Sequence, residues 1–198
     1  IIGEPSGYQL GYAHKGSMDI RLTSKGKAAH SSMPEHGYNA IDPLIDLLHE
    51  ANHEFRPSDK KSKLLGSLRF NTDIFQGGDQ VNSIPEQAVA DINVRTVPEF
   101  DNDVVEKVLD QLIDKQNKAG AKISKETYMS QPSVEASGDS DLIKLAQKVA
   151  KPYAGEDIPS GAIPAVTDAS NMLRDKPKDY PFIIFGQGNE SVHQVNES

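Results

Sequence analysis

The chain has 198 residues, with 29 acidic against 21 basic side chains and a formal net charge of −8. That acid surplus argues against a nucleic-acid partner, which would want clustered Lys and Arg, and no apolar run approaches the ~20 residues that cross a bilayer. Cysteine is absent, so disulfides, thiolate metal sites and a Cys nucleophile are all excluded.

Residues 17–23 alternate, Met18, Ile20 and Leu22 facing one way and Asp19, Arg21 and Thr23 the other, which predicts a half-buried strand. A helix is expected over about 39–55, with the stripe Ile41, Leu44, Ile45, Leu48 and Ala51/Asn52 facing the core and Pro43 in the first turn. A polar link from Arg56 to Lys63 leads to a second strand with Leu68, Phe70 and Ile74 on one face, ended by Gly77-Gly78-Asp79. The third strand sets Ala88, Ala90, Ile92 and Val94 against Gln87, Asp91, Asn93 and Arg95. The second helix carries Val104/Val105, Val108/Leu109 and Leu112/Ile113 at helical spacing, with Asp103 and Glu106 as a capping box and Gly120 as the stop. A strand near 122–128 completes the order β-α-β-β-α-β of the ferredoxin-like split βαβ unit, whose sheet has one face under both helices and one face open.

From Gln131-Pro132 the pattern changes. A helix is expected near 139–151, a Pro/Gly/Ala stretch at 159–165, a short helix near 168–174, and a strand Phe182-Ile183-Ile184-Phe185 that is apolar on both faces, as in α/β domains. The expected fold class is therefore α+β, with a ferredoxin-like domain over about 13–131 inserted in an incomplete α/β domain supplied by residues 1–12 and 132–198. No basic-then-apolar leader is visible and a cytoplasmic location is expected, although Ile1-Ile2-Gly3-Glu4-Pro5 leaves room for a leader upstream.

Two short motifs invite other readings. His49-Glu50-Ala51-Asn52-His53 matches the H-E-x-x-H zinc-protease helix. On a helical wheel, however, both His lie more than about 90° from the centre of the apolar stripe, and no third ligand follows at a useful spacing. A solvated helix face is the better reading. Gly186-Gln187-Gly188 follows a strand but leaves no room for the rest of a dinucleotide-binding βαβ unit.

Five stretches, in order, resemble the cocatalytic di-zinc peptidase family that includes succinyl-diaminopimelate desuccinylase, acetylornithine deacetylase, aminoacylase and glutamate carboxypeptidase. They are Ile2-Gly3-Glu4-Pro5-Ser6; Lys25-Gly26-Lys27-Ala28-Ala29-His30-Ser31 with Asn39-Ala40-Ile41; Gln80-Val81-Asn82-Ser83-Ile84-Pro85 with Arg95; Thr167-Asp168-Ala169; and Phe185-Gly186-Gln187-Gly188 with His193-Gln194-Val195-Asn196-Glu197. The resemblance implies a lid and the C-terminal part of a longer amide hydrolase. It implies that Glu4 and His193 bind different zinc ions, that His30 donates a hydrogen bond to the oxyanion, and that Asn82 and Arg95 hold a substrate carboxylate. The complete enzyme would hold two zinc ions, with cobalt as an alternative; this stretch alone is expected to bind no stoichiometric metal. The family's upstream H-x-D, bridging Asp and Glu-Glu pair have no counterpart here, and Ala165-Val166-Thr167-Asp168 departs from the Gly-rich form of that turn.

The residues are chemically suited to those roles. Carboxylate and imidazole ligands build zinc sites without cysteine, the Arg95 guanidinium matches a carboxylate bidentately, and His30 sits among small residues that leave its ring accessible. The expected substrate is an N-acyl amino acid or small peptide, with succinyl-diaminopimelate desuccinylase the first choice and a dipeptidase or a non-catalytic dimerisation module the alternatives. A homodimer through the lid is expected over residues of about 39–75, with Ala40 and Leu47 available to a symmetry mate. The resemblance also implies lids paired across a twofold axis, with the His matching His30 reaching the partner's site; His30 and Glu4 of one chain are expected to be too far apart to share a substrate.

Overall fold

A computed structural model describes residues 1–56, 61–177 and 179–188. In chain order the elements are β1 (Leu10–His14), β2 (Ser17–Lys25), α1 (Ile41–Glu54), β3 (Lys61–Ser62), β4 (Gly66–Ser67), β5 (Arg69–Gly77), β6 (Gln87–Arg95), α2 (Asn102–Lys118), β7 (Ile123–Gln131), β8 (Val134–Glu135), α3 (Asp141–Ala154), β9 (Ser160–Ile163) and α4 (Ala169–Met172).

Alternation in the central strands decides the main architecture. β2 and β6 pair antiparallel, Ile20 opposite Ile92 and Leu22 opposite Ala90, and the full sheet has the order β5-β6-β2-β7. This is the ferredoxin-like arrangement expected from β-α-β-β-α-β. Met18, Ile20, Leu22, Ala90, Ile92 and Val94 are buried under α1 and α2 together with Leu44, Leu47, Leu109 and Phe100. The other face is polar, and there Arg21 grips the buried Asp91 through two bonds of 2.8 Å. The guanidinium holds the Asp91 carboxyl below its ordinary pKa.

Helix α2 carries its own boundary signals. Asp101 caps α2 by accepting from the Val104 N–H at 3.0 Å, two residues before the Asp103 of the expected capping box. Glu106 instead pairs with Lys125 and Thr127 of β7. Gly120, in the left-handed region, stops the helix as expected.

α1 is rotated relative to its expected stripe. Ala40 and Leu47 are fully buried within their own chain, whereas Ile45 is 50% exposed. The cause is α2, which packs beside α1 and joins it through Lys115 to Glu50 at 2.8 Å, drawing the Leu47 flank inward. Ala40 and Leu47 therefore belong to the core of their own subunit, not to a face for a symmetry mate.

A register shift between Thr72 and Ile74 corrects a second expectation. Phe70 lies opposite the core residue Val94, but after the irregularity Phe75 lies opposite Ala90 and Ile74 opposite Asp91. The extra residue moves Ile74 to the face away from Phe70. The polar link was expected over Arg56–Lys63; its residues 57–60 fall outside the described part, and β3 begins at Lys61.

Beyond the ferredoxin-like unit lies a second sheet in the order β8-β1-β9, with β1 parallel to β9 and antiparallel to β8. Ile184 bridges Ile2 in parallel and Gly11 antiparallel, and Phe182, Ile183 and Ile184 are buried as their two-faced apolar run predicts. The short strand β9 lies within the Pro/Gly/Ala stretch at 159–165. α3 starts at the Ser140 cap and runs through Pro152 to Gly155. It buries Ile143 but leaves Leu145, Val149 and Tyr153 exposed.

Candidate active site

The loop after β2 and the loop between β5 and β6 are zipped together beyond the sheet. Gly26 N–H donates to Glu86 O, Ile84 N–H to Ala29 O and Ser31 N–H to Asn82 O, at 2.7, 2.8 and 3.0 Å. His30 bridges to Ser83 within this zipper. Gly26 allows the close approach, since a Cβ there would lie 2.1 Å from Tyr38 O. His30 and Asn82, distant in sequence, thus stand side by side on an exposed tip.

The His30 ring is oriented locally. Its Nδ1 lies 2.8 Å from Ser32 Oγ and receives the Ser32 main-chain N–H at 3.2 Å. A main-chain N–H can only donate, so Nδ1 is an acceptor and the ring proton resides on Nε2. The side chain is exposed, which leaves that Nε2–H free to meet an acceptor.

Arg95 lies at the opposite end of β6 from Asn82. β6 has nine residues, so Gln87 and Arg95 are separated by about 26 Å at roughly 3.3 Å per residue. Arg95 is next to Thr96, whose backbone exchanges hydrogen bonds with Gly16 where the chain passes from β1 to β2. Its side chain faces the open side of the sheet, as its alternation predicts, and has no hydrogen-bond or ion-pair partner among the described residues. The structure therefore brings His30 to Asn82 and holds Arg95 apart from both within one chain.

Glu4 is half-buried at the carboxyl ends of two parallel segments, Ile2 N–H donating to Ile183 O at 2.7 Å and Phe185 N–H to Ile2 O at 2.9 Å. Gly186 lies directly against it, and a Cβ on that glycine would approach Glu4 O to 2.6 Å. The carboxyl edge of an open sheet is where α/β folds place their sites. Asp168 is exposed ahead of α4, and Thr167 Oγ1 accepts from the Ala169 N–H at 3.2 Å. His193 and the closing segment around it lie outside the described residues.

His49 and His53 are exposed on α1 with ring centroids 4.8 Å apart, and Glu50 is engaged by Lys115. Among the described residues no group of three His, Cys, Asp or Glu could hold a metal ion. The described residues consequently do not make a zinc centre by themselves.

Three residues escaped the sequence reading. Ser32 follows His30 at a spacing of two, a signal that was present but weak. Arg69 stands directly opposite Arg95 in the β5–β6 register, which only the register reveals. His14 is fully buried at the end of β1 and donates from Nδ1 to Lys15 O at 2.8 Å. Its Nε2 has no partner among the described residues, and burial lowers its pKa against the opposing pull of that hydrogen bond.

Known proteins resemble this chain in sequence and in fold. The family model of the M20 peptidase dimerisation domain matches residues 12–121, more than half the chain. A probable succinyl-diaminopimelate desuccinylase of Staphylococcus epidermidis is 34% identical over the whole chain, which covers 54% of that relative. An acetylornithine deacetylase of Buchnera aphidicola is 26% identical over the whole chain and 51% of its own length. The chain thus spans about half the length of the curated relatives it matches. The crystal structure of a tripeptidase from Staphylococcus aureus superimposes with a TM-score of 0.72 at 21% identity, over 98% of this chain and 49% of that one. The chain belongs to the M20 peptidase dimerisation-domain family.

Proposed function

We propose that this chain is the lid and C-terminal part of a zinc-dependent amidohydrolase that removes acyl groups from N-acyl amino acids, with succinyl-diaminopimelate as the first-choice substrate. The observation that carries this reading is the separation of the site residues. His30 and Asn82 share one end of the ferredoxin-like unit while Arg95 and the second sheet bearing Glu4 lie at the other. A single chain spanning about 26 Å between those groups cannot hold one small substrate with both. Two chains can. His30 and Asn82 of one subunit then complete the site carrying Arg95, Glu4 and His193 of the other, with His30 Nε2–H donating to the oxyanion and Arg95 gripping a carboxylate.

Bound zinc would supply an acidified water and a Lewis acid for the amide carbonyl. Glu4 is the described residue proposed to contact it, and His193 the residue beyond the described part. The proposed division places residues 1–12 and 132–198 in the catalytic domain and 13–131 in the lid. The exposed Leu145, Val149 and Tyr153 of α3 support a catalytic domain larger than the part present here.

The dimer face is proposed to be the outer edge of β5 with the adjoining flank of α1. β5 is an edge strand of the sheet, and Ile45, Ile74 and Phe75 are 50%, 44% and 41% exposed beside it. An open edge flanked by apolar side chains favours pairing with a second copy across a twofold axis. The test is hydrolysis by the full-length protein, comparing N-succinyl-diaminopimelate, N-acetylornithine and a dipeptide. Activity on the succinylated substrate, abolished by chelation and restored by zinc, is expected; zinc-independent hydrolysis or none on all three overturns the reading.

A further inference from the structure

Arg95 does not stand alone on its row of the sheet. Arg69 lies directly opposite it in the antiparallel register. Like charges directly opposed across strands destabilise a sheet, and a neutral partner would remove the cost. Lys15 is moored nearby, its Nζ donating to Ser67 O at 2.5 Å. Burial and the Arg69 charge both lower the Lys15 pKa. Among the described residues none of these three cations has a carboxylate within ion-pair distance.

The same face shows what a satisfied cation looks like. Arg21 is locked bidentately to Asp91. Between the two rows, Asn93 is spent on Asp19, donating to its Oδ1 at 2.6 Å. The sheet therefore neutralises its charge elsewhere and leaves three positive groups uncompensated at the end where the chain passes to the second sheet.

We propose that Arg69 and Lys15 extend the Arg95 position into a subsite for a second carboxylate, and so are the residues that would select the dicarboxylic acyl group of the substrate proposed above. This rests on the reading of Arg95 as a carboxylate-binding residue. Two guanidinium forks on facing strands, with Cβ atoms about 5 Å apart, present donors to two carboxylates, which in the substrate are that of the amino acid and the free end of the acyl diacid. The ammonium of Lys15 adds a point charge that has no shape preference.

The test is a titration of this 198-residue chain with succinate, acetate and sulfate at fixed ionic strength, read from the arginine Nε–H signals by NMR. Succinate is expected to bind about tenfold more tightly than acetate, the loss of one charge-assisted pair accounting for at least that factor. Sulfate, with the same charge and no span, is expected to fall well short of succinate. Arg69→Gln should bring succinate to within about twofold of acetate, while Arg95→Gln should abolish acetate binding. Far-UV circular dichroism establishes that each variant is folded, and Lys15→Met supplies a second test on a residue outside the paired strands. Equal binding of sulfate and succinate, or an unchanged preference in Arg69→Gln, overturns the dicarboxylate subsite while leaving Arg95 in place. Acetate binding that survives Arg95→Gln overturns the underlying reading instead.

Discussion

Ser32 approaches Nδ1 of His30 with both its main-chain N–H and its hydroxyl, at 3.2 and 2.8 Å. The pair sets the imidazole tautomer two residues from where the ring is anchored, leaving the Nε2 proton for an incoming oxygen. Ser32→Ala keeps the main-chain bond and removes the hydroxyl. In the full-length protein it is expected to lower kcat/KM about 2–12-fold, the equivalent of one hydrogen bond of about 0.5–1.5 kcal/mol. Nitrogen-15 NMR of His30 should show the Nε2–H form predominating before the substitution and less so after it.

Arg95 tests the carboxylate contact. If its fork makes two parallel bonds, Arg95→Lys should lower kcat/KM nearly as much as Arg95→Ala, about 10–150-fold for a charge-assisted interaction of about 1.5–3 kcal/mol. Full activity in Arg95→Ala would remove the residue from the site.

The packing of α1 separates two substitutions that look alike in sequence. Leu47 is fully buried and Ile45 is half exposed. Leu47→Ala is therefore expected to cost about 2–5 kcal/mol of stability through the cavity it leaves. Ile45→Asp, or Phe75→Asp on the adjoining strand, should leave the far-UV circular dichroism of the folded chain unchanged and shift sedimentation from dimer towards monomer, with the unfolding midpoint falling only by the lost association. A dimer that survives both charged variants would place the twofold elsewhere.

The central strands were legible because alternation in β2 and β6 maps one-to-one onto a core face and a polar face, and the topology followed from element order. The side chains of Ile45, Leu47 and Ile74 were not legible. A helical wheel gives the width of a stripe but not the side from which a second helix covers it, and the irregularity after Thr72 reverses the faces of β5 without any proline or glycine at that point to mark it. β3, β4, β8 and β9 are too short for periodicity to show. The motifs nominate His30, Asn82, Arg95 and Glu4 as candidates, but the nearness of His30 to Asn82 and the distance of both from Arg95 depend on strand direction. The register alone reveals Arg69.

His14 links stability to pH. Its pKa is lowered in the fold from an ordinary value of 6.5, so the unfolded chain takes up a proton there that the folded chain refuses. Stability is expected to be insensitive to this group above that value, and to fall as pH drops from there through the depressed pKa. His14→Phe should flatten that part of the profile in urea unfolding at about pH 7.5 and about pH 5. A variant with the same acid loss as the parent would exclude His14 as its source.

The shared site is tested most directly by mixing two inactive full-length variants, His30→Ala and His193→Ala. Each should be nearly inactive alone, since every site in either homodimer lacks one of the two residues. After subunit exchange, the mixed dimer has one site that draws intact His30 from one chain and intact His193 from the other. Activity is predicted to return towards about one quarter of the wild-type level per total subunit in an equal mixture, because about half the dimers are mixed and each carries one competent site. Subunit exchange demonstrated by mass-labelled chains, with no return of activity, would contradict the two-chain site.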